Sequence, residues 1–188
     1  MLLVQLSSFD KNKFALARTE DTDPILQDYI DTYEKKYIRD LLGVELGNIV
    51  IDELENETGS GSDGLDTRIE DIIRPFAVQD STGQFRDWDS NQPRIFQSLG
   101  LADMLTAFIY YMYVFETQVQ HTQSGVALYM GESAKVLKPR EAIRLAERKW
   151  NKALDTVDAI QYRCKFERPD IYPEFKGISI SPQNNSIF

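Results

Sequence analysis

Residues Asp28–Gly43 read DYIDTYEKKYIRDLLG. Ile30, Tyr33, Tyr37, Ile38, Leu41 and Leu42 recur at helical spacing, and acids and bases fill the other faces. Asp23-Pro24 upstream supplies a start, an acidic cap followed by proline in the first turn, and Gly43 supplies a stop. The stretch therefore predicts an amphipathic helix from about Pro24 to Leu42 with an aromatic stripe on its buried side.

The same reasoning extends along the chain. Leu46, Ile49, Val50 and Leu54 predict a second helix over Val44–Asn56, ended by the flexible composition Glu57–Gly64, ETGSGSDG. Those glycines lack the lysine of a phosphate loop and follow no strand, so a surface loop is expected. Leu65–Ile73 reads as a short third helix stopped by Pro75. Phe76–Pro93 reads as loop, with a turn at Asp80-Ser-Thr-Gly. Phe96–Val119 predicts a central helix, hinged at Gly100 and apolar on most of its circumference, hence buried on most sides. Pro139–Tyr162 predicts the last helix, with Ala142, Ile143, Ala146, Trp150, Ala153, Leu154 and Val157 inward.

The termini differ from this helical body. Leu2, Val4 and Leu6 alternate as in an extended strand, and Phe14–Leu16 suggests a second short extended piece. Such an arm must pair with its own body or with a neighbour. After Lys165, three prolines interrupt a tail carrying Phe166, Ile171, Tyr172, Phe175, Ile178, Ile180, Ile187 and Phe188, too apolar for a solvated segment. It reads as a docking arm ordered in an assembly. The expected division is an N-terminal arm at 1–22, a helical domain at 23–165 with a projecting loop at 120–135, and a C-terminal arm at 166–188. Within that loop, Val126–Met130 has strand character, and Tyr129 and Met130 are candidate anchors on an adjacent subunit.

Charge is unevenly distributed over the 188 residues, whose formal net charge is −9. Glu20–Asp80 holds 17 acids against 5 bases, whereas Lys135–Arg168 holds 10 bases against 5 acids. A chain with an acidic part and a basic part can meet a copy of itself through unlike faces. Arg140, Arg144 and Arg148 form a ladder on one side of the last helix, suited to an acidic partner surface or to Glu141 and Glu147 beside them. The negative total disfavours sequence-independent binding of nucleic acid.

Candidate chemistry is sparse. His121 has no carboxylate or cysteine near it in sequence, and Cys164 is the single cysteine, which excludes an internal disulfide and fits assembly in a reducing cytosol. Asp87, Asp89 and Asn91 occupy the first ligand spacings of a calcium loop, but Gln92 and Ser98 stand where its glycine and glutamate belong. There is no H-E-x-x-H, C-x-x-C, Walker loop or dinucleotide fingerprint. No catalytic residue, metal ligand or cofactor-binding residue is assigned, and a non-enzymatic role is expected. No apolar run approaches the ~20 residues of a membrane span, and MLLVQLSSF lacks the basic start and cleavage site of a signal peptide.

Taken together, the aromatic first helix, the tyrosine-rich helix over Ala102–Val119, the Gly/Ser-bearing loop Thr122–Ser133 and the long last helix resemble a family of phage head–tail connector proteins. The pattern is most like that of ring proteins beneath the portal of crAss-like phages and covers residues 20–165. The resemblance implies a mainly α fold, a connector bundle of four to five helices with a projecting loop and extended arms. It also implies a structural virion protein at the head–tail junction, made in the host cytoplasm and assembled as a ring that is dodecameric in such connectors. Its partners would be copies of itself, the portal above, and neck or tail rings below. Genomic DNA would pass through the lumen without sequence-specific contact, eased by like charge. The candidate subunit-interface residues are Arg140, Arg144, Arg148, Tyr129, Met130, Phe166, Tyr172, Phe175 and Phe188. The alternative is a monomeric helical adaptor that binds one protein partner through its aromatic face.

Overall fold

The computed structural model describes residues 3–10, 14–16, 20, 22–56, 66–87, 91–120, 127–128, 135–136, 139–177 and 180. Among these the fold is mainly α. Helices α1 (Asp23–Leu42), α2 (Val44–Asn56) and α3 (Thr67–Ile73) are followed by strands β1 (Phe76–Gln79) and β2 (Ile95–Ser98). Then come α4 (Leu101–Gln120), the two-residue strands β3 (Ala127–Leu128) and β4 (Lys135–Val136), and α5 (Pro139–Tyr162).

Helices α1 and α2 form a tight hairpin. Gly43 ends α1 at φ +81°, and its N–H donates to the Arg39 carbonyl at 2.9 Å. At Gly47 a Cβ would lie 2.9 Å from the Arg39 Cα, so the absent side chain is what lets the hairpin close. Helix α3 is capped by Asp66, whose carboxylate accepts from the Arg68 N–H at 3.0 Å.

Helix α4 is the centre of the molecule, as its nearly continuous apolar surface requires. Leu101, Leu105, Phe108, Ile109 and Val114 are fully buried. It packs most extensively against α5 and also against α1. The aromatic stripe of α1 lies along it: Tyr29, Tyr33 and Tyr37 stack at 5.8 and 5.7 Å. Tyr37 meets Phe108 and Trp150 edge-on, and Phe108 and Trp150 stack at 4.0 Å. Two of those tyrosines keep their hydroxyls bonded. Tyr29 donates to one oxygen of Glu116 at 2.6 Å and Tyr33 to the other at 2.9 Å.

Three expectations are corrected. First, the central helix begins at Leu101 and not at Phe96. Gly100 takes φ +96° with its Cβ position 3.1 Å from the Ile73 carbonyl, so it ends a strand and does not hinge a helix. Second, the segment read as loop contains β1, which pairs antiparallel with β2 in the register Phe76↔Ser98 to Gln79↔Ile95. The Asp80 turn is the start of the connection between them. Third, the N-terminal segment is no strand where described: Leu6–Phe9 is a 3-10 turn, and Val4, Phe9, Phe14 and Leu16 are buried in the core. Leu2 lies outside the described residues.

The reason for the third correction is Glu34. This fully buried carboxylate accepts the Leu3 N–H at 2.6 Å and the Val4 N–H at 3.1 Å through one oxygen, doing for that backbone what a partner strand would have done. Burial pushes its pKa from 4.5 up to about 7, partly opposed by those two donors. Below pH 4.5 the carboxyl is protonated both folded and unfolded, so its contribution is then at its maximum. As pH rises towards 7 the unfolded chain releases its proton first, and stability falls until the folded group ionises too. The decrement is on the order of 3 kcal/mol for a shift of this size. Glu34→Gln keeps an acceptor for both N–H groups and cannot ionise. Urea unfolding between pH 4 and 8 should therefore show the variant gaining on wild type as pH rises, whereas parallel curves would rule out the buried ionisation.

Candidate functional site

The described part of the C-terminal segment is folded onto its own chain, which corrects the reading of an arm ordered only in an assembly. Helix α5 runs into a π-helical turn at Arg163–Glu167. Arg163 is buried there; its guanidinium covers the Phe76 ring at 3.5 Å and donates to Asp71 Oδ1 at 2.8 Å and to the Asp71 carbonyl at 3.0 Å. Asp71 Oδ2 accepts from Arg168 at 2.8 Å and from the Tyr172 hydroxyl at 3.3 Å, and that hydroxyl also reaches the Arg68 carbonyl at 2.8 Å. Tyr172 is 2% exposed, so its ring is part of this chain's core and is not free to face a neighbour. Phe175 is half-buried against the same core, and Phe166 is half-buried beside Val78, Phe96 and Tyr162. Tyr129, Met130 and Phe188, like His121, lie outside the described residues.

The arginine ladder is where its spacing predicts. Arg140, Arg144 and Arg148 are all exposed on α5, opposite the buried Ala142, Ala146, Trp150 and Ala153. None makes an ion pair with a described residue; Arg148 donates only to the Arg144 carbonyl, at 3.4 Å. Lys152, one further turn along, is exposed as well and extends the ladder.

A second surface feature was not visible in the sequence. Phe85, Phe96, Tyr162 and Phe166 form a cluster in which Phe96 and Tyr162 stack at 4.5 Å. A cleft of about 240 Å³ opens beside it, rimmed by Arg94, Asp158 and Lys165, with Arg94 bound to Asp158 at 3.1 Å. Its parts come from the β-hairpin and the end of α5, some 60 residues apart, so no local pattern announces it.

Asp80, Cys164 and Asp87, among the described residues, have structural surroundings. Asp80 opens the turn between β1 and β2 and is buried. Burial alone would raise its pKa, but bonds from the Thr82 hydroxyl, the Phe85 N–H, the Tyr162 hydroxyl and the Thr82 N–H hold it at about 2. It is a turn organiser that stays charged at neutral pH. Cys164 is buried and its thiol is pushed up to about 12 by that burial, which keeps it protonated and unreactive. Asp87 donates its backbone N–H to the Gln92 carbonyl at 2.9 Å, closing the Arg86–Pro93 turn; Asp89 lies outside the described residues. Among the described residues no group of three or more His, Cys, Asp or Glu side chains is placed to hold a metal ion, and no helix is long and apolar enough to cross a membrane.

No family model, curated protein or solved structure matches the chain.

Proposed function

We propose that this protein is a non-enzymatic structural subunit that assembles with copies of itself into a connector ring at a phage portal vertex. The observation that carries the reading is the division of charge between an acid-rich α1–α2 hairpin and an arginine ladder on α5 that has no acidic partner among the described residues. Unlike faces on one subunit can pair head to tail, and a rotation between subunits then closes such contacts into a ring. The helical body, with α1, α4 and α5 where the connector resemblance expects helices, supports the same reading.

In this account the portal binds above the ring, further neck or tail rings bind below, and DNA passes through the lumen without being read. An acidic lumen would repel the DNA backbone and let it slide. Negative-stain electron micrographs of the purified chain, alone and with its portal, should show annular end views. Fields of small single particles in both samples would sink the ring and favour a monomeric adaptor. That second reading draws on the aromatic cleft beside Phe85 and Phe166 and on Ile95 and Leu99, which are 61% and 41% exposed.

A further inference from the structure

We infer that the basic stripe Arg140–Arg144–Arg148–Lys152 of α5 is a docking surface for the acidic outer side of the α1–α2 hairpin of a second copy of this chain. The inference rests on the proposed self-assembly and names the surfaces that would carry it.

Four observations converge on this pairing. The four cations recur every fourth residue on an exposed side of one helix, about 6 Å apart along its axis, so the stripe is about 18 Å long. They lack a carboxylate among the described residues of their own chain, whereas four arginines elsewhere have one: Arg68 binds Glu174, Arg94 binds Asp158, and Arg163 and Arg168 bind Asp71. The matching surplus of acid lies on another element. Asp28 and Asp31 of α1 and Asp52 of α2 are exposed, and the Lys35–Glu55 bridge at 2.6 Å, which offsets the charge of Glu55, shows that the two helices present these flanks side by side. Asp31 is bonded by the neutral amide of Gln27 at 2.8 Å, which leaves its charge uncompensated.

Guanidinium groups favour planar, paired contacts with carboxylates, and a row of them fixes register as well as attraction. Phosphate is the competing ligand for such a row. The chain's net charge of −9, with the acid surplus on its own α1–α2 hairpin, favours protein carboxylates over a nucleic-acid backbone. Because donor and acceptor surfaces lie on different elements, the contact can run head to tail and repeat from copy to copy.

The test uses two full-length variants, one reversing each surface: R144E/R148E and D28K/D31K/D52K. All five residues are exposed, and circular dichroism checks that the variants fold as wild type does. Each variant alone should self-associate at least tenfold more weakly than wild type in sedimentation velocity at low salt. Mixed one to one they should reassemble, because the acid stripe of the first then meets the basic hairpin of the second and the reverse. The restored particles should hold even numbers of subunits in alternation. If wild type assembles and both variants assemble equally well, this surface assignment is wrong while the ring reading stands. If wild type stays monomeric at every concentration, alone and with its portal present, the ring reading and this inference both fall. If wild type shifts a mixed-sequence DNA duplex in a gel and R144E/R148E does not, the stripe is a nucleic-acid surface, and the assignment is overturned in that direction.

Discussion

Replacing Trp150 with alanine should cost about 3–5 kcal/mol of folding stability, the range for deleting a large buried aromatic side chain. Trp150 is 3% exposed and sits where α1, α4 and α5 meet. Phe108 stacks on it at 4.0 Å, and Tyr111 and Tyr37 contact it edge-on at 5.2 and 5.6 Å. Those rings come from two other helices, so no single shift of backbone can refill the space left by the indole. A domain of this kind has roughly 5–15 kcal/mol in total, so the loss is a large share of it. Urea unfolding followed by circular dichroism measures it directly. A loss below about 1 kcal/mol would show that the three helices do not close on this residue.

The second large effect is expected at Asp71, the shared acceptor for Arg163, Arg168 and Tyr172. Asp71→Ala removes the carboxylate opposite a guanidinium whose side chain is only 8% exposed. Breaking a buried pair from one side strands the remaining charge, at about 3 kcal/mol towards the low end for such changes. The low end is appropriate because Glu167 still holds Arg163 at 3.2 Å. Arg168→Ala removes a more exposed partner and should cost less than about 1 kcal/mol. The two effects have different readouts. Asp71→Ala should also release residues 168–177, since Tyr172 loses one of its two hydroxyl partners, and limited proteolysis should then cut there faster. Equal stability of the two variants would mean that Arg163 is not held by Asp71.

Much of the helical plan could be read before the fold was known. The bounds expected for the second and last helices, Val44–Asn56 and Pro139–Tyr162, are those of α2 and α5, because glycine and proline punctuate strongly periodic segments. Of the inward set expected on α5, Ala142, Ala146, Trp150, Ala153 and Val157 are buried and Leu154 is half-buried against the core, whereas Ile143 is not part of it. The hairpin was missed because Phe76–Gln79 is only four residues long and its partner strand directly precedes α4, so its apolar residues were absorbed into the helical pattern. Glu34 had a faint signal: it stands between Ile30 and Ile38 on the apolar face of α1, where an unpaired carboxylate needs a reason.

The core around Asp71 and Arg163 carried no signal at all. These residues are 92 positions apart, and only the folded chain brings them together. The same holds for Tyr172, whose place in a proline-rich tail suggested an outward-facing anchor. Exposed features fared better, because an unpartnered helix face is a local property: the spacing of Arg140, Arg144 and Arg148 on one helix already places them together.

Native mass spectrometry of the purified chain, alone and then mixed with its portal, decides between self-assembly through unlike faces and a monomer. A closed oligomer of about twelve copies is expected in at least one of the two samples, with no ladder of open intermediates. A chain that remains monomeric in both would contradict it.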